Sequence, residues 1–203
     1  MEITEVKLED PLNNLYNISL KPDQSLKSKK QQDISYLLSV SVAESVTAGA
    51  LSNIICSEPG SSIFFLGGII AYNMETQEKL LNIDPKFAEK NNFANPFTTF
   101  NMAKNVTEIF NSRIGISTTG YSLPLFRKAD IENGKCEIDV KIPFSYICLY
   151  DAKTKLNIIY KIINKEYDLN GNQKVQRAHA QSRIALECKK LFYNYCLRIK
   201  NNL

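Results

Sequence analysis

Between Gly60 and Lys79 the chain reads GSSIFFLGGIIAYNMETQEK. Ser61 and Ser62 stand before an apolar run and Tyr72 stands at its end. Such hydroxyls suit nucleophilic chemistry if a pocket gathers them, but a Ser hydroxyl is a weak nucleophile at neutral pH and needs a neighbouring base. The first acidic and basic side chains after Tyr72 are Glu75, Glu78 and Lys79, and position 77 is a Gln. A Lys serves as base when burial or a nearby cation lowers its pKa. A Gln amide donates and accepts hydrogen bonds but takes up no proton usefully. Read blandly, Ser61 and Ser62 after Pro59-Gly60 are turn or cap residues, and Tyr72 is a packing residue with a wet hydroxyl.

The flanking patterns say which elements must position these groups. YLLSVSVAES is aliphatic and β-branched and reads as a buried strand. VTAGALSNIICS reads as a helix opening, with Ser45 or Thr47 as its cap. IFFLGGIIAY reads as a second strand whose internal glycines mark close backbone approach, and METQEKLLNI returns to helical spacing. Pro96 to about Arg113 reads as a helix, and IGISTTG as a strand ending in a Gly turn. Cys136 to Ile142, Ser145 to Tyr150 and Leu156 to Tyr167 read as three antiparallel neighbours. The spacing of Ala185, Cys188, Phe192, Tyr195 and Ile199 marks a long amphipathic helix from about Lys174 to Lys200. Alternating strands and helices, then strands, then a closing helix predict a three-layer α/β/α arrangement with a mixed sheet. Residues 1–35, with Pro11, Pro22 and the polar stretch DQSLKSKKQQD, read as an extension on a domain of residues 36–203.

Composition narrows the class. A chain of 203 residues suits one good core, and 44% apolar residues with 23% charged are ordinary for a soluble globular protein. The net charge of +4 is mild, and the one short basic run, Lys27, Lys29 and Lys30, reads as a solvated face rather than a nucleic-acid contact. Five widely spaced cysteines without a C-x-x-C pair suggest neither a zinc site nor a disulfide framework. The acidic start MEITEVKLEDPL is unlike a signal peptide, and the apolar run Ile63 to Tyr72 is too short to span a bilayer. The expectation is a reduced, cytoplasmic protein with no membrane contact. His179, the sole histidine, lies off the apolar stripe and reads as a surface residue. Glu44, directly after a buried strand, needs a partner or a pocket.

AESVTAGAL, the Gly-Ser-Ser turn, GGIIAYN and the STTG turn together resemble the C-terminal domain of the CinA (competence- and damage-inducible) proteins, which includes nicotinamide mononucleotide deamidases. The family's Glu-Ser-Cys-Thr-Gly-Gly is matched by Glu44, Ser45, Val46, Thr47, Ala48 and Gly49, and its Gly-Ser-Ser turn by Gly60, Ser61 and Ser62. Its Tyr-Ser-Asn-Glu-Ala-Lys corresponds to the six residues Tyr72 to Gln77. The resemblance covers about residues 36 to 200. It implies a metal-independent, cofactor-free amidohydrolase that converts nicotinamide mononucleotide to the acid and ammonia, and a homo-oligomer. It puts the nucleophile on Ser62, its Tyr partner on Tyr72 and the catalytic Lys on position 77.

The chain departs from that pattern where the chemistry is most exacting. Gln77 replaces the Lys, and Lys79, two residues on, is turned by about 200° around a helix, so it substitutes only if the helix begins later or slips register. In the family's glycine-rich phosphate loop, Thr119 and Gly120 are kept but Leu123 replaces a glycine, with Arg127 and Lys128 following. The family's Gly-Asp-Arg becomes Gly171-Asn172-Gln173, and a second Arg is retained as Arg177. Two expectations follow. One is an amidohydrolase with Ser62, Tyr72 and a stand-in Lys79, binding its nucleotide through Glu44, Ser45, Thr47, Gly49, Gly60, Ser61, Gln77, Thr119, Gly120 and Arg177. The other is a catalytically inactive relative that binds a nucleotide or a protein partner.

Overall fold

The computed structural model describes residues 1–6, 38–127, 138–168 and 170–201. A six-stranded sheet runs in the order β1 (Glu2–Val6), β8 (Asn157–Ile163), β7 (Phe144–Asp151), β4 (Ile114–Gly120), β2 (Val40–Glu44), β3 (Phe65–Ile70). β2 pairs parallel with both β3 and β4, and the other pairs are antiparallel, so the sheet is mixed. Helices α1 (Ala50–Cys56) and α5 (Gln173–Asn201) cover one face. Helices α2 (Met74–Leu81), α3 (Pro85–Lys90) and α4 (Pro96–Phe110) lie on the other. This is the three-layer α/β/α architecture with a mixed sheet that the pattern predicts.

All five residues of β2 are buried, as expected of a central strand covered on both faces. Val40, Val42, Ile114 and Ile116 pack under Leu51, Ile55, Ile184 and Cys188, while Ala43 meets Met102 and Val106 on the opposite side. Gly115 lets α4 sit close on β4, since a Cβ there would lie 1.9 Å from the Ala103 carbonyl oxygen. Helix α4 starts cleanly because Pro96 fills its first turn and the Asn95 side chain accepts from the Thr98 amide at 2.9 Å. Asn95→Ala is expected to cost about 1 kcal/mol, read as a lower urea midpoint.

Several sequence expectations change. Of the expected Cys136–Ile142 strand, the described residues form β6 over Ile138–Val140, which pairs with β5 (Leu125–Arg127) in a separate two-stranded sheet rather than beside β7. Cys136 itself and the basic run Lys27–Lys30 lie outside the described residues. Glu2–Val6, within the expected extension, is an edge strand of the main sheet. Neither Ser45 nor Thr47 caps α1: its N-cap is Gly49, which makes no side-chain cap bond. His179 is exposed and Cys188 is buried in the core. Among the described residues no helix is long and apolar enough to cross a membrane.

Candidate functional site

β2 lies between β3 and β4; the β2–β3 connection runs over one face of the sheet through α1, and the β3–β4 connection returns over the other face through α2, α3 and α4. The crevice outside the carboxyl ends of strands at such a switch point is where α/β sheets bind ligands. Here it is a cleft of about 420 Å³, within the range of small-molecule sites. Ser45 and Val46 leave β2 into it, Thr119 and Gly120 end β4 beside it, and Tyr72, Asn73, Met74 and Gln77 come from the β3–α2 junction. Phe93, Ala94 and the stretch from Tyr121 to Leu125 form further walls, and Arg177 reaches in from α5. Arg177 is the one charged residue among these described lining residues.

Glu44 is fully buried behind the cleft, outside its lining. Its Oε2 accepts from Thr47 Oγ1 at 2.7 Å, the Gly49 amide at 2.9 Å and the Leu51 amide at 3.0 Å. Its Oε1 accepts from the Ser52 amide at 2.7 Å and Ser52 Oγ at 2.5 Å. A carboxylate from β2 thus caps α1, satisfying amides at the helix end where negative charge is favoured. Ala48 and Gly49 take positive φ of 49° and 98° to wrap the turn around it. Thr47 bonds Thr118 Oγ1 at 2.7 Å and belongs to the same buried network. Glu44, Thr47 and Gly49, expected to touch substrate, instead hold the strand end and the helix together.

The expected catalytic groups do not converge within one chain. Ser61 and Ser62 lie in a short 3-10 turn before β3, and Tyr72 follows the strand's far end. The six residues of β3 separate Ser62 from the cleft by roughly 20 Å along the strand. Ser62 is exposed, Ser61 Oγ donates to the Cys56 carbonyl at 3.0 Å, and Gly60 supplies the left-handed turn before them with φ 81°. Gln77 is buried in the cleft wall, where its Nε2 donates to the Ala71 carbonyl at 3.0 Å. Lys79 is exposed and outside the lining, as the helical turn requires, because α2 starts at Met74 with Asn73 capping it and does not slip register.

Ser45, Tyr72, Gln77, Thr119, Gly120 and Arg177 are the expected site residues that do meet in the cleft. Arg177 Nη1 donates to the Tyr72 hydroxyl at 3.2 Å, joining the last helix to the end of β3. Thr119 is fixed by Thr99, hydroxyl to hydroxyl at 2.6 Å. Gly120 serves close approach rather than an anion cradle: a Cβ there would lie 2.4 Å from the Phe144 carbonyl oxygen. The Tyr121 amide is occupied by that same carbonyl at 2.7 Å. The Arg127 side chain and Lys128 lie outside what the structure describes. Phe93 and Ala94 carry no local sequence signal for their place in the cleft, since a turn with positive φ at Asn92 and Phe93 brings them there.

A family model described as the CinA C-terminal domain matches residues 24–154, ending before β8 and α5. A protein of Oceanobacillus iheyensis named as a competence-damage inducible protein is 29% identical over 164 residues, 81% of this chain and 34% of its own length. A CinA-like protein of Amoebophilus asiaticus is 38% identical over 86 residues, 42% of this chain and 21% of its own. The chain therefore spans about a fifth to a third of the curated relatives it matches. The crystal structure of a competence or damage-inducible protein from Enterobacter asburiae aligns with TM-score 0.59 at 18% identity, covering 77% of this chain and 87% of that one. CihA from Agrobacterium tumefaciens, a competence/damage inducible protein, aligns with TM-score 0.58 at 19% identity over 80% and 90%. With residues 24–154, well over half of its length, matched by that model, the chain belongs to the CinA C-terminal domain family.

Proposed function

We propose that the cleft binds a small phosphate-bearing ligand of the nicotinamide mononucleotide kind, and that the chain lacks the proton acceptor that amide hydrolysis needs. The observation that carries this reading is Gln77. It sits in the cleft wall at the position of the expected base, buried, with its amide tied to the Ala71 carbonyl. The nearest Lys in sequence, Lys79, is exposed and off the cleft. Losing a general base costs roughly 10² to 10⁴ in rate.

Binding draws on different groups. Arg177 offers a planar fork of donors suited to a phosphate, and its guanidinium already meets the Tyr72 hydroxyl. Thr119, Ser45 and Ser122 add polar groups, while Phe93, Met74 and Leu123 supply apolar walls for a ring. Arg177→Ala is expected to weaken nicotinamide mononucleotide binding by about 10-fold to 100-fold, as for a lost charge-assisted hydrogen bond. Titration calorimetry of both proteins measures it.

Hydrolysis is tested by incubating the purified protein, and a Ser62→Ala variant, with nicotinamide mononucleotide at stoichiometric concentration and following ammonia. The expected result is release from neither. Release by wild type and not by the variant would overturn the inactive reading and establish an amidohydrolase whose base is not residue 77.

A further inference from the structure

The connection from α3 to α4 lines the cleft with Phe93 and Ala94. Helix α3 closes as many helices do. The Asn92 amide donates to the Glu89 carbonyl at 3.2 Å and the Phe93 amide to the Ala88 carbonyl at 2.6 Å, with Asn92 left-handed at φ 58°. That closure needs one left-handed residue, and Asn is among the side chains that tolerate it. Phe93 is a second, also at φ 58°. For so bulky a side chain this backbone is strained, and it persists only where the surroundings enforce it.

The enforcing contacts come from two sides. Half-buried Phe93 packs against the cluster of Ala71, Leu81, Ala88 and Met102. The Asn92 carbonyl accepts from the Ala94 amide at 2.5 Å and from the Tyr121 hydroxyl at 3.1 Å. Tyr121 follows β4 and lines the cleft too. Its ring meets Phe144 of β7 edge-to-face, with centroids 5.6 Å apart. The sheet thus braces, through Tyr121, the turn that carries Phe93. The helix cap accounts for Asn92 but not for Phe93, and strain stored beside a cleft points to a role there.

We propose that Phe93 selects the ring of the ligand and that Tyr121 is the residue that positions it. The strained turn sets Phe93 in the cleft wall, where a planar heteroaromatic ring stacks on its face. This deepens the reading of the cleft as a nucleotide site and rests on it: Arg177 takes the phosphate and Phe93 the base. The ligand class is therefore a ring-bearing ribose phosphate rather than a bare sugar phosphate. Stacking tolerates a change of ring, because every base has a π face. Tyr121 acts through Phe93, by holding the Asn92 carbonyl.

Titration calorimetry with two probes tests this. Nicotinamide mononucleotide and ribose 5-phosphate share the phosphoribosyl part and differ in the ring. Wild type is expected to bind the mononucleotide about 10-fold or more tightly than ribose 5-phosphate. Phe93→Leu keeps an apolar side chain without an aromatic face. It is expected to lose most of that advantage and to bind ribose 5-phosphate unchanged, whereas Phe93→Tyr retains the advantage. Tyr121→Phe keeps its ring but not the bond to Asn92, and is expected to weaken the mononucleotide alone, by several-fold. Arg177→Ala weakens both probes. A Phe93→Leu variant that binds the mononucleotide like wild type, or that loses both probes equally, overturns the ring assignment. Wild-type affinity in Tyr121→Phe overturns the positioning role. A wild type that binds both probes equally overturns the ring subsite and leaves the phosphate reading standing; one that binds neither overturns both.

Discussion

Glu44→Ala is expected to destabilise the domain by about 4 kcal/mol or more. The carboxylate is fully buried and accepts from three backbone amides and two hydroxyls. Truncation leaves those donors facing a void, and amides in the first turn of α1 have no carbonyl partner within the helix. Much of total stability is at stake in a domain that has about 5–15 kcal/mol to lose. Urea unfolding is expected to show a midpoint lowered by roughly 1.5 M. Glu44→Gln keeps an acceptor oxygen and is expected to lose about half as much, the remaining loss coming from an amide NH2 turned toward donors. A Glu44→Ala variant as stable as wild type would show that the carboxylate is free for a ligand after all.

The second large effect lies at the other end of the sheet. Arg113 donates to Asp151 through Nε at 3.0 Å and Nη2 at 2.7 Å, and the Tyr195 hydroxyl donates to Asp151 at 2.7 Å. Arg113 and Asp151 are buried, so the group ties the start of β4, the end of β7 and helix α5 together. Removing one partner of a buried pair leaves the other charge uncompensated, and Asp151→Asn is expected to cost about 3–5 kcal/mol. Tyr195→Phe leaves the ion pair intact and is expected to cost about 1 kcal/mol.

The acid dependence of the same group has a definite sign. Burial alone would raise the Asp151 carboxyl, but the Arg113 hydrogen bonds, the Tyr195 hydroxyl and the Arg113 charge outweigh it and hold it below the usual carboxylate range. A carboxyl lowered in the folded state stabilises above its unfolded value near pH ~4, and that contribution fades as pH falls through the folded value. The stability gap between wild type and Asp151→Asn is therefore expected to be constant near neutrality and to narrow below about pH 4. Urea midpoints measured across that range check it; a gap that widens in acid would contradict the assignment.

What is legible in the sequence is what local pattern controls. β4 runs over the residues IGISTTG predicts, and α5 over nearly the predicted span, because burial on both faces or along one stripe imprints a period. β1 escapes because EITEV is mostly exposed and acquires its meaning from β8, more than 150 residues away. β5 and β6 are three residues each, too short for any period to show. Within the site, Tyr72, Gln77, Thr119 and Arg177, named by the resemblance, meet in the cleft, whereas Ser62, named by the same resemblance and near Tyr72 in sequence, stands at the other end of β3. The strand makes that separation, since residues at its two ends are near in sequence and far apart in space. Glu44 stands out in the sequence as a carboxylate in need of a partner. That the partner is a helix end rather than a ligand depends on the turn at Ala48 and Gly49, which no periodicity reveals.

The most direct test of the central claim is a calorimetric titration of the protein with nicotinamide mononucleotide, with the ligand recovered and identified afterwards. The account predicts saturable binding that Arg177→Ala weakens, and recovery of the amide unchanged. Absence of saturable binding, or recovery of the acid, would contradict it.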